Sequence, residues 1–230
     1  MASTKEFVLD TTGFVELLGV FGDDLTVVNA ARVSFANQSE EMTERDKKLV
    51  IYLAKHNHIT PFFHPQVRMR IKMPIFVARE WFRHTVGFAR NEVSRRYVDA
   101  PAECYVPPAD NIRERDKNKK QGSKDTPVAN ADDVHDVLSE ATRAAEDTYN
   151  KLLAQGVAPE VARMVLPQSM YTEFIETASL YAYARLCLLR LDPQAQKEIR
   201  LYAEQVDRFL RDRFPVSWPA LLEKLLEPHQ

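Results

Sequence analysis

The first half of the chain contains stretches in which apolar and polar residues alternate with a period of two. In residues 67–73, one valine, two methionines and one isoleucine alternate with two arginines and a lysine. This alternation predicts a half-buried strand with a cationic outer face. Short apolar segments around Gly13 and Gly19, within residues 7–21, predict one or two further strands.

Apolar residues recur at helical spacing through most of the remaining sequence. A short extended piece is predicted near residues 168–172, and residues 85–91, which contain Gly87, are predicted to form a loop. The pattern therefore indicates an α+β fold in a single domain over residues 1–230, with short antiparallel strands and a helix-rich second half. The predicted helices cover residues 25–33, 43–56, 75–84, 132–153, 158–166, 176–189 and 194–214.

Residues 109–130 interrupt these patterns. They are charged, rich in lysine and asparagine, and nearly without large apolar side chains. Such a segment buries too little apolar surface to offset the entropy lost on ordering. We therefore predict a mobile surface excursion over residues 109–130.

Composition narrows the class of protein. The chain has 230 residues, 45% of them apolar, and its 31 basic and 33 acidic residues give a net charge of −2. This charge disfavours a protein that coats nucleic acid, so an anionic ligand would need a local basic cluster. No apolar run approaches the ~18 residues that a membrane helix needs, and the N-terminus lacks a signal-peptide pattern. We expect a cytoplasmic protein with neither membrane nor nucleic-acid partners.

Such a basic cluster lies in residues 79–96, which contain five arginines and one histidine. Arginine presents planar, bidentate donors that suit phosphate and carboxylate groups. A solvated basic face is the alternative interpretation. However, Arg83 and His84 follow Trp81 and Phe82 at the end of a largely apolar predicted helix, where we expect a partly buried charge that needs a partner. This placement favours an anionic ligand.

The same passage resembles the signature of the flavin-dependent thymidylate synthases. Arg83-His84 is followed by Asn91-Glu92-Val93-Ser94-Arg95-Arg96-Tyr97 at nearly the family spacing. Further matches occur in family order, and together they cover most of residues 7–215. They lie in residues 30–35, 55–62, 74–79, 161–167 and 189–190.

The resemblance implies the fold of the thymidylate synthase-complementing proteins and a flavin-dependent methyltransferase activity. Such an enzyme methylates C5 of a uridine 5′-monophosphate, dUMP or UMP. FAD is the cofactor, methylenetetrahydrofolate is the carbon donor, and NADPH is the reductant. It also implies a homotetramer whose active sites lie between subunits.

Site residues follow from the resemblance. Arg190 matches the catalytic arginine that pairs with the uracil edge, where a fixed positive charge stabilises charge pushed toward C5. Ser94, Arg95, Arg96 and Arg163 match positions that hold the nucleotide phosphate. The other uridylate positions are Glu80, Arg83 and Glu92. The flavin positions are His58, Thr60, Arg83, His84, Thr85, Asn91, Glu92, Ser179, Tyr181 and Arg185.

This chain departs from the family pattern at several of these positions. Thr85 stands where the signature has its second arginine, and the loop that follows is one residue longer than the commonest form. Phe63 replaces an acidic residue. Ser179, Tyr181 and Arg185 stand where asparagine, arginine and asparagine are familiar. These changes suggest a rearranged site for the flavin pyrophosphate or adenine.

The cysteines favour a route without an enzyme nucleophile. Cys187 lies in an apolar run and is predicted to be buried and inert, and Cys104 lies in an extended segment without a histidine nearby in sequence. Ser94 has no evident general base.

His56 and His58 could ligate a metal on spacing alone, but no carboxylate–histidine pattern completes a site, so we expect no metal site.

Two other functions remain open. The arginine cluster could serve a nucleic-acid-binding module in which Phe82, Phe88 and Tyr97 stack on bases, although the net charge disfavours it. Alternatively, a flavoprotein of the same fold could act as an NADPH oxidase or hydroxymethylate the base. The mass of the product distinguishes a methyl from a hydroxymethyl group.

Overall fold

A five-stranded antiparallel sheet lies at the centre of the computed structural model, which describes residues 4–96, 101–116 and 122–226. Strand order in this sheet is β1-β2-β3-β7-β4, and β5 pairs with β6 in a separate two-stranded sheet. The strands are β1 (Thr4–Phe7), β2 (Phe14–Phe21), β3 (Gln66–Pro74), β4 (Phe88–Glu92), β5 (Arg113–Arg115), β6 (Ser123–Pro127) and β7 (Tyr171–Ser179).

Helices pack against this sheet and make up most of the second half of the chain. No helix in the described ranges is both long and apolar enough to cross a bilayer. They are α1 (Asp24–Arg32), α2 (Glu44–Lys55), α3 (Ile75–Trp81), α4 (Ala131–Ala154), α5 (Pro159–Ala162), α6 (Leu180–Arg190), α7 (Lys197–Arg213) and α8 (Ser217–Leu226).

The central strand pair shows how the sequence builds the sheet. β3 pairs with β7 along its whole length, from Gln66 opposite Ser179 to Pro74 opposite Tyr171. The four apolar residues of the alternating pattern in β3 are fully buried, and its two arginines are exposed. This confirms the strand predicted over residues 67–73 and places the core on one face of the sheet.

Side-chain caps fix the beginnings of the first two helices. Asp23 Oδ1 accepts a hydrogen bond from Thr26 N at 2.9 Å, and the Thr26 hydroxyl reaches back to the Asp23 backbone. Thr43 and Asp46 form the same reciprocal pair at the start of α2. These capping boxes satisfy backbone donors that would otherwise lack partners at each helix start.

One predicted helix is wrong over its first turn. Residues 176–179 belong to β7, and α6 begins only at Leu180, after Ser179 has capped it by accepting from Ala182 N at 3.2 Å. The sequence prediction failed because Glu176, a charged residue typical of a surface position, is fully buried in the strand. The predicted loop at 85–91 is also partly wrong, since β4 begins at Phe88. Helix α8 was not predicted.

Part of the predicted surface excursion is instead a folded pair of strands. Within residues 109–130, β5 and β6 pair, and Arg113 ties them to the start of α7. Its Nη2 lies 2.8 Å from Glu198 Oε1, and its Nε donates to Ser123 Oγ at 2.7 Å. The sequence prediction gave too little weight to Arg113, whose buried ion pair anchors the segment. Residues 117–121 lie outside the described part of the chain.

Candidate active site

The site lies where the ends of α3 and α6 meet. Backbone hydrogen bonds continue the turn beyond the end of α3: Phe82 N donates to Ala78 O, and His84 N donates to Trp81 O. The chain then turns at Gly87, whose φ is +84° and where a Cβ would lie 3.0 Å from Ala182 Cβ. Glycine therefore permits both the left-handed turn and its close packing on α6.

Arg190 joins these two elements. Its Nη1 lies 3.2 Å from Glu80 Oε2, its Nη2 donates to the Glu80 carbonyl at 3.0 Å, and its Nε donates to His84 Nε2 at 3.0 Å. Arg190 thus contacts two predicted site residues that lie more than 100 positions earlier in the sequence. The planar guanidinium can make these bonds at once, which fixes its orientation.

The surroundings of His84 keep its ring neutral. Burial, followed by the positive charges of Arg190, Arg90, Arg185 and Arg83, lowers the pKa of His84 from 6.5 to about 4. A neutral ring leaves Nε2 free to accept from Arg190. Burial also lowers the pKa of Arg190, and the Glu80 carboxylate opposes that shift. The site is therefore cationic and partly desolvated.

Arg190 lines two clefts. The large cleft has a volume of about 600 Å³, and its lining includes Glu80, Arg83 and Arg190 together with the cations Arg113, Lys197 and Arg200. Its cations outnumber its carboxylates, Glu80 and Asp125. Such a cleft concentrates anions.

The small cleft, of about 310 Å³, shares Arg83 and Arg190 with the large one. Thr85 and Arg185 contribute polar groups to it, while Val86 and Leu189 are apolar side chains left largely exposed beside them. The other lining residues are His84, Phe88 and Ala182. Cationic donors beside exposed apolar surface suit a ligand with both an anionic group and a flat ring.

The predicted phosphate residues lie elsewhere in the single chain. Ser94, Arg95 and Arg96 follow β4, and Arg163 is exposed in a 3₁₀ turn at residues 163–165. Arg96 Nε donates to Ser94 Oγ at 3.4 Å, and Arg163 Nε donates to Glu160 O at 3.4 Å. None of them lines either cleft described above.

The remaining predicted flavin residues do not line the small cleft. His58 and Thr60 are exposed just after α2, and Asn91 is exposed on β4. Glu92, on the same strand, accepts from Thr172 Oγ1 at 2.5 Å. Ser179 Oγ is occupied as the cap of α6.

Two of the departures from the family pattern contact each other. The rings of Phe63 and Tyr181 lie edge to face, with centroids 5.3 Å apart. An aromatic pair therefore occupies positions where the family pattern has an acid and an arginine.

Arg83 differs from expectation because it is exposed, not partly buried. Its neighbour Arg90 is the arginine that is mostly buried, and it pairs with Glu176 across the sheet, with Nε 2.5 Å from Oε2. Sequence reasoning missed this pair because a buried ion pair leaves no periodic signal. It also missed three cations of the large cleft: Arg113, Lys197 and Arg200.

Neither cysteine is activated. Cys187 is fully buried, and burial raises the pKa of its thiol well above the usual range. Burial, with the Glu146 carboxylate second, raises the pKa of Cys104 to about 12. Both thiols are therefore protonated at neutral pH.

Among the described residues, no group of three histidine, cysteine, aspartate or glutamate side chains could hold a metal ion.

Comparison with known proteins decides the family. Residues 16–216 match the sequence model of the family described as thymidylate synthase complementing protein. A flavin-dependent thymidylate synthase from Thermus thermophilus is 40% identical over 220 residues, which cover 96% of this chain and 79% of that protein. The chain belongs to the flavin-dependent thymidylate synthase family. Another member, from Kosmotoga olearia, is 42% identical over 217 residues, covering 91% and 90% of the two chains.

Comparison with solved structures shows that this chain shares its fold with another protein, a UMP/dUMP methylase. The UMP/dUMP methylase PolB from Streptomyces cacaoi, bound with 5-Br dUMP, superposes with a TM-score of 0.81 at 31% identity, covering 95% of this chain and 97% of PolB. The PolB structure bound with 5-Br UMP gives a TM-score of 0.82 at 30% identity, covering 94% and 96%. The predicted family, the α+β fold and the assignment as an enzyme are thereby confirmed.

Proposed function

We propose that the protein methylates C5 of a uridine 5′-monophosphate, dUMP or UMP, with methylenetetrahydrofolate as carbon donor. The observation that carries this proposal is Arg190, held by Glu80 and His84 at the junction of two cationic clefts. The relatives named flavin-dependent thymidylate synthases and the methylase PolB support the same reaction.

In this mechanism Arg190 faces the uracil edge from the large cleft. Its side chain is 17% exposed, so its charge is less screened than that of a surface arginine. A fixed guanidinium there favours the N3-deprotonated uracil and stabilises negative charge as it develops toward C5. Glu80 and His84 hold the guanidinium in that orientation before the substrate arrives.

The nucleotide phosphate lies farther into the large cleft. Three cations of this chain give the lining of that cleft a positive potential: Arg83, Lys197 and Arg200. Ser94, Arg95, Arg96 and Arg163 do not line the cleft of the described single chain, so we propose that they reach it from a neighbouring subunit. Glu92, beside Ser94, would face the same nucleotide.

A homotetramer would bring those residues together. Val137 on α4, Val161 on α5 and Met164 in the following turn are largely exposed, at 65%, 50% and 80%. Exposed apolar side chains concentrated on neighbouring elements are typical of a surface that another subunit covers. This surface supports the assembly that the family resemblance implies.

The small cleft fits FAD by the chemistry of its donors. Arg83, Arg185 and Thr85 would hold pyrophosphate oxygens, and Val86 with Leu189 would pack on a ring face. The contact of Phe63 with Tyr181 stands in place of two charged residues of the family pattern. When bound and reduced by NADPH, FAD supplies hydride. We propose that His58, Thr60, His84, Asn91, Glu92, Ser179 and Tyr181 complete the flavin site in the assembly.

No side chain is needed as a nucleophile in this scheme. The thiols of Cys104 and Cys187 are held protonated by burial, so neither supplies a thiolate to attack C6. The chain's own contribution is to bind and orient the reactants, to exclude water, and to place positive charge beside the uracil.

The test is a complete reaction with FAD, NADPH, methylenetetrahydrofolate and either dUMP or UMP, followed by mass analysis of the nucleotide. We expect a 5-methyl product from at least one substrate. Arg190→Ala should abolish it while flavin absorbance is retained. Arg211→Ala, which removes an exposed arginine paired with Asp207, should leave the rate unchanged. A 5-hydroxymethyl product, or undiminished turnover in Arg190→Ala, would contradict the proposal.

A further inference from the structure

A buried ion pair lies directly behind the site and is absent from the mechanism described above. Arg90 and Glu176 are opposite each other in the antiparallel register of β4 and β7. Glu176 is fully buried and accepts from three side chains, those of Arg90, Trp81 and Tyr183. Burial raises the pKa of Glu176, and the adjacent Arg90 guanidinium opposes that shift, so Arg90 offsets part of the cost of taking the carboxylate out of water.

Arg90 also reaches the site. Its Nη1 donates to the His84 carbonyl at 2.5 Å, while its Nε is held by Glu176. The guanidinium is 4.4 Å from the centroid of the Phe88 ring and 5.4 Å from that of Phe82. Packing between two rings and a carboxylate leaves the guanidinium little rotational freedom.

His84 connects this buried pair to Arg190. The backbone of His84 is held by Arg90, and its ring accepts from Arg190 at 3.0 Å. A continuous chain of hydrogen bonds therefore runs from Glu176 through Arg90 and His84 to Arg190. A shift of the His84 backbone would move the ring and release one of the bonds that orient Arg190.

We propose that Arg90 is a positioning residue for the uridylate site: anchored by Glu176, it fixes the His84 backbone and thereby the orientation of Arg190. This inference rests on the proposed function only where it concerns uridylate. Its structural part, the coupling of Arg90 to the His84–Arg190 hydrogen bond, holds whatever reaction the site performs.

A pair of variants separates positioning from stability. Arg90→Met leaves Glu176 buried without its charged partner, so we expect a lower melting temperature. The double variant Arg90→Met/Glu176→Gln removes both charges and should recover most of that loss. It cannot restore the bond to the His84 carbonyl. Arg70→Met, which removes an exposed arginine paired with Glu173 on the other face of β7, is the matched control.

Two measurements are made on these variants with flavin bound. The first is the ¹⁵N chemical shift of His84 Nε2, which reports its hydrogen bond from Arg190 without any turnover. The second is KM for uridylate against kcat. We expect the double variant to lose the ¹⁵N shift of a hydrogen-bonded His84 Nε2 (the His84 signature) and to lower kcat about tenfold, as removal of one hydrogen bond that orients Arg190 would do. Flavin content should be unchanged, and Arg70→Met should behave like wild type.

The proposal is overturned if the double variant keeps the His84 signature, or loses it while kcat stays at the wild-type value. In both outcomes Arg90 would be only a structural partner of Glu176. If the wild-type protein makes no methylated nucleotide, the proposed reaction fails, and the His84 signature alone decides whether Arg90 positions this site.

Discussion

Arg190 owes its orientation to its three partners. The carboxylate and carbonyl of Glu80 and the ring of His84 use different nitrogens of one planar group. A lysine ammonium carries the same charge but is a point donor on a flexible chain. Charge alone would therefore not reproduce the site.

We accordingly expect Arg190→Lys to lower kcat for methylation about 10²-fold, the size of effect seen when one preorganised donor is lost. The kinetics of Arg190→Lys and Arg190→Ala are compared at saturating substrates. If lysine restored most of the wild-type rate, charge and not geometry would be the property that matters.

His84 predicts a dependence of stability on pH. Its pKa is lowered to about 4 in the folded protein from a usual value of 6.5. Between these values the unfolded chain binds a proton that the folded chain does not. The contribution of His84 to the free energy of unfolding should therefore have its full value above about pH 6.5, and it should fall as the pH is lowered toward 4.

Urea unfolding at a series of pH values checks this dependence. His84→Gln keeps an acceptor for Arg190 but cannot be protonated, so its stability should fall less steeply over the same interval. The exposed His64→Gln is the control and should follow wild type. Equal slopes for wild type and His84→Gln would show that the His84 ring titrates as it does in water.

At the scale of elements, an ion pair between Arg113 and Glu198 ties the two-stranded sheet of β5 and β6 to α7. Glu198 is 5% exposed, and Arg113 bridges it to Ser123 on β6 and to Asn111 before β5. Since residues of the same strands line the large cleft, we expect their attachment to α7 to affect both stability and, on the proposed function, uridylate binding.

Arg113→Met should destabilise the fold by about 3–5 kcal/mol, because it leaves a buried carboxylate unpaired. It should also raise KM for uridylate as these strands detach. Arg115→Met, at an exposed position of the same strand, should stay within about 0.5 kcal/mol of wild type. Denaturant unfolding gives both free energies. A loss as small for Arg113 as for Arg115 would show that this ion pair does not hold the strands.

Whether the sequence pattern predicts a strand correctly depends on whether its polar residues face water or the protein interior. In β3 the polar residues face water, so the period of two gave the strand correctly. In β7 the buried Glu176 breaks the same rule, because its partner Arg90 comes from a strand 86 residues earlier. No local pattern carries that information. Resemblance identified Arg190, Glu80 and His84, whereas Arg113 and Lys197 joined the cleft only through tertiary packing.

At the scale of the whole molecule, the single chain holds the two halves of the proposed uridylate site apart. Arg190 and Glu80 line the large cleft, whereas Arg163 lies in a turn beside α4, outside its lining. If the halves meet between subunits, two inactive variants can repair one another. A hybrid site is intact when one chain supplies Arg190 and another supplies Arg163.

Coexpression of Arg190→Ala with Arg163→Ala tests this arrangement. With random mixing in a homotetramer, about a quarter of the sites should receive both wild-type arginines, so about a quarter of the wild-type rate should return. Arg190→Ala mixed with Glu80→Ala is the matched control. Both residues come from one chain, so every site keeps a defect and no rate returns. If the test pair recovers no more rate than this control, the complete site lies within a single subunit, because only residues supplied by different chains can complement one another.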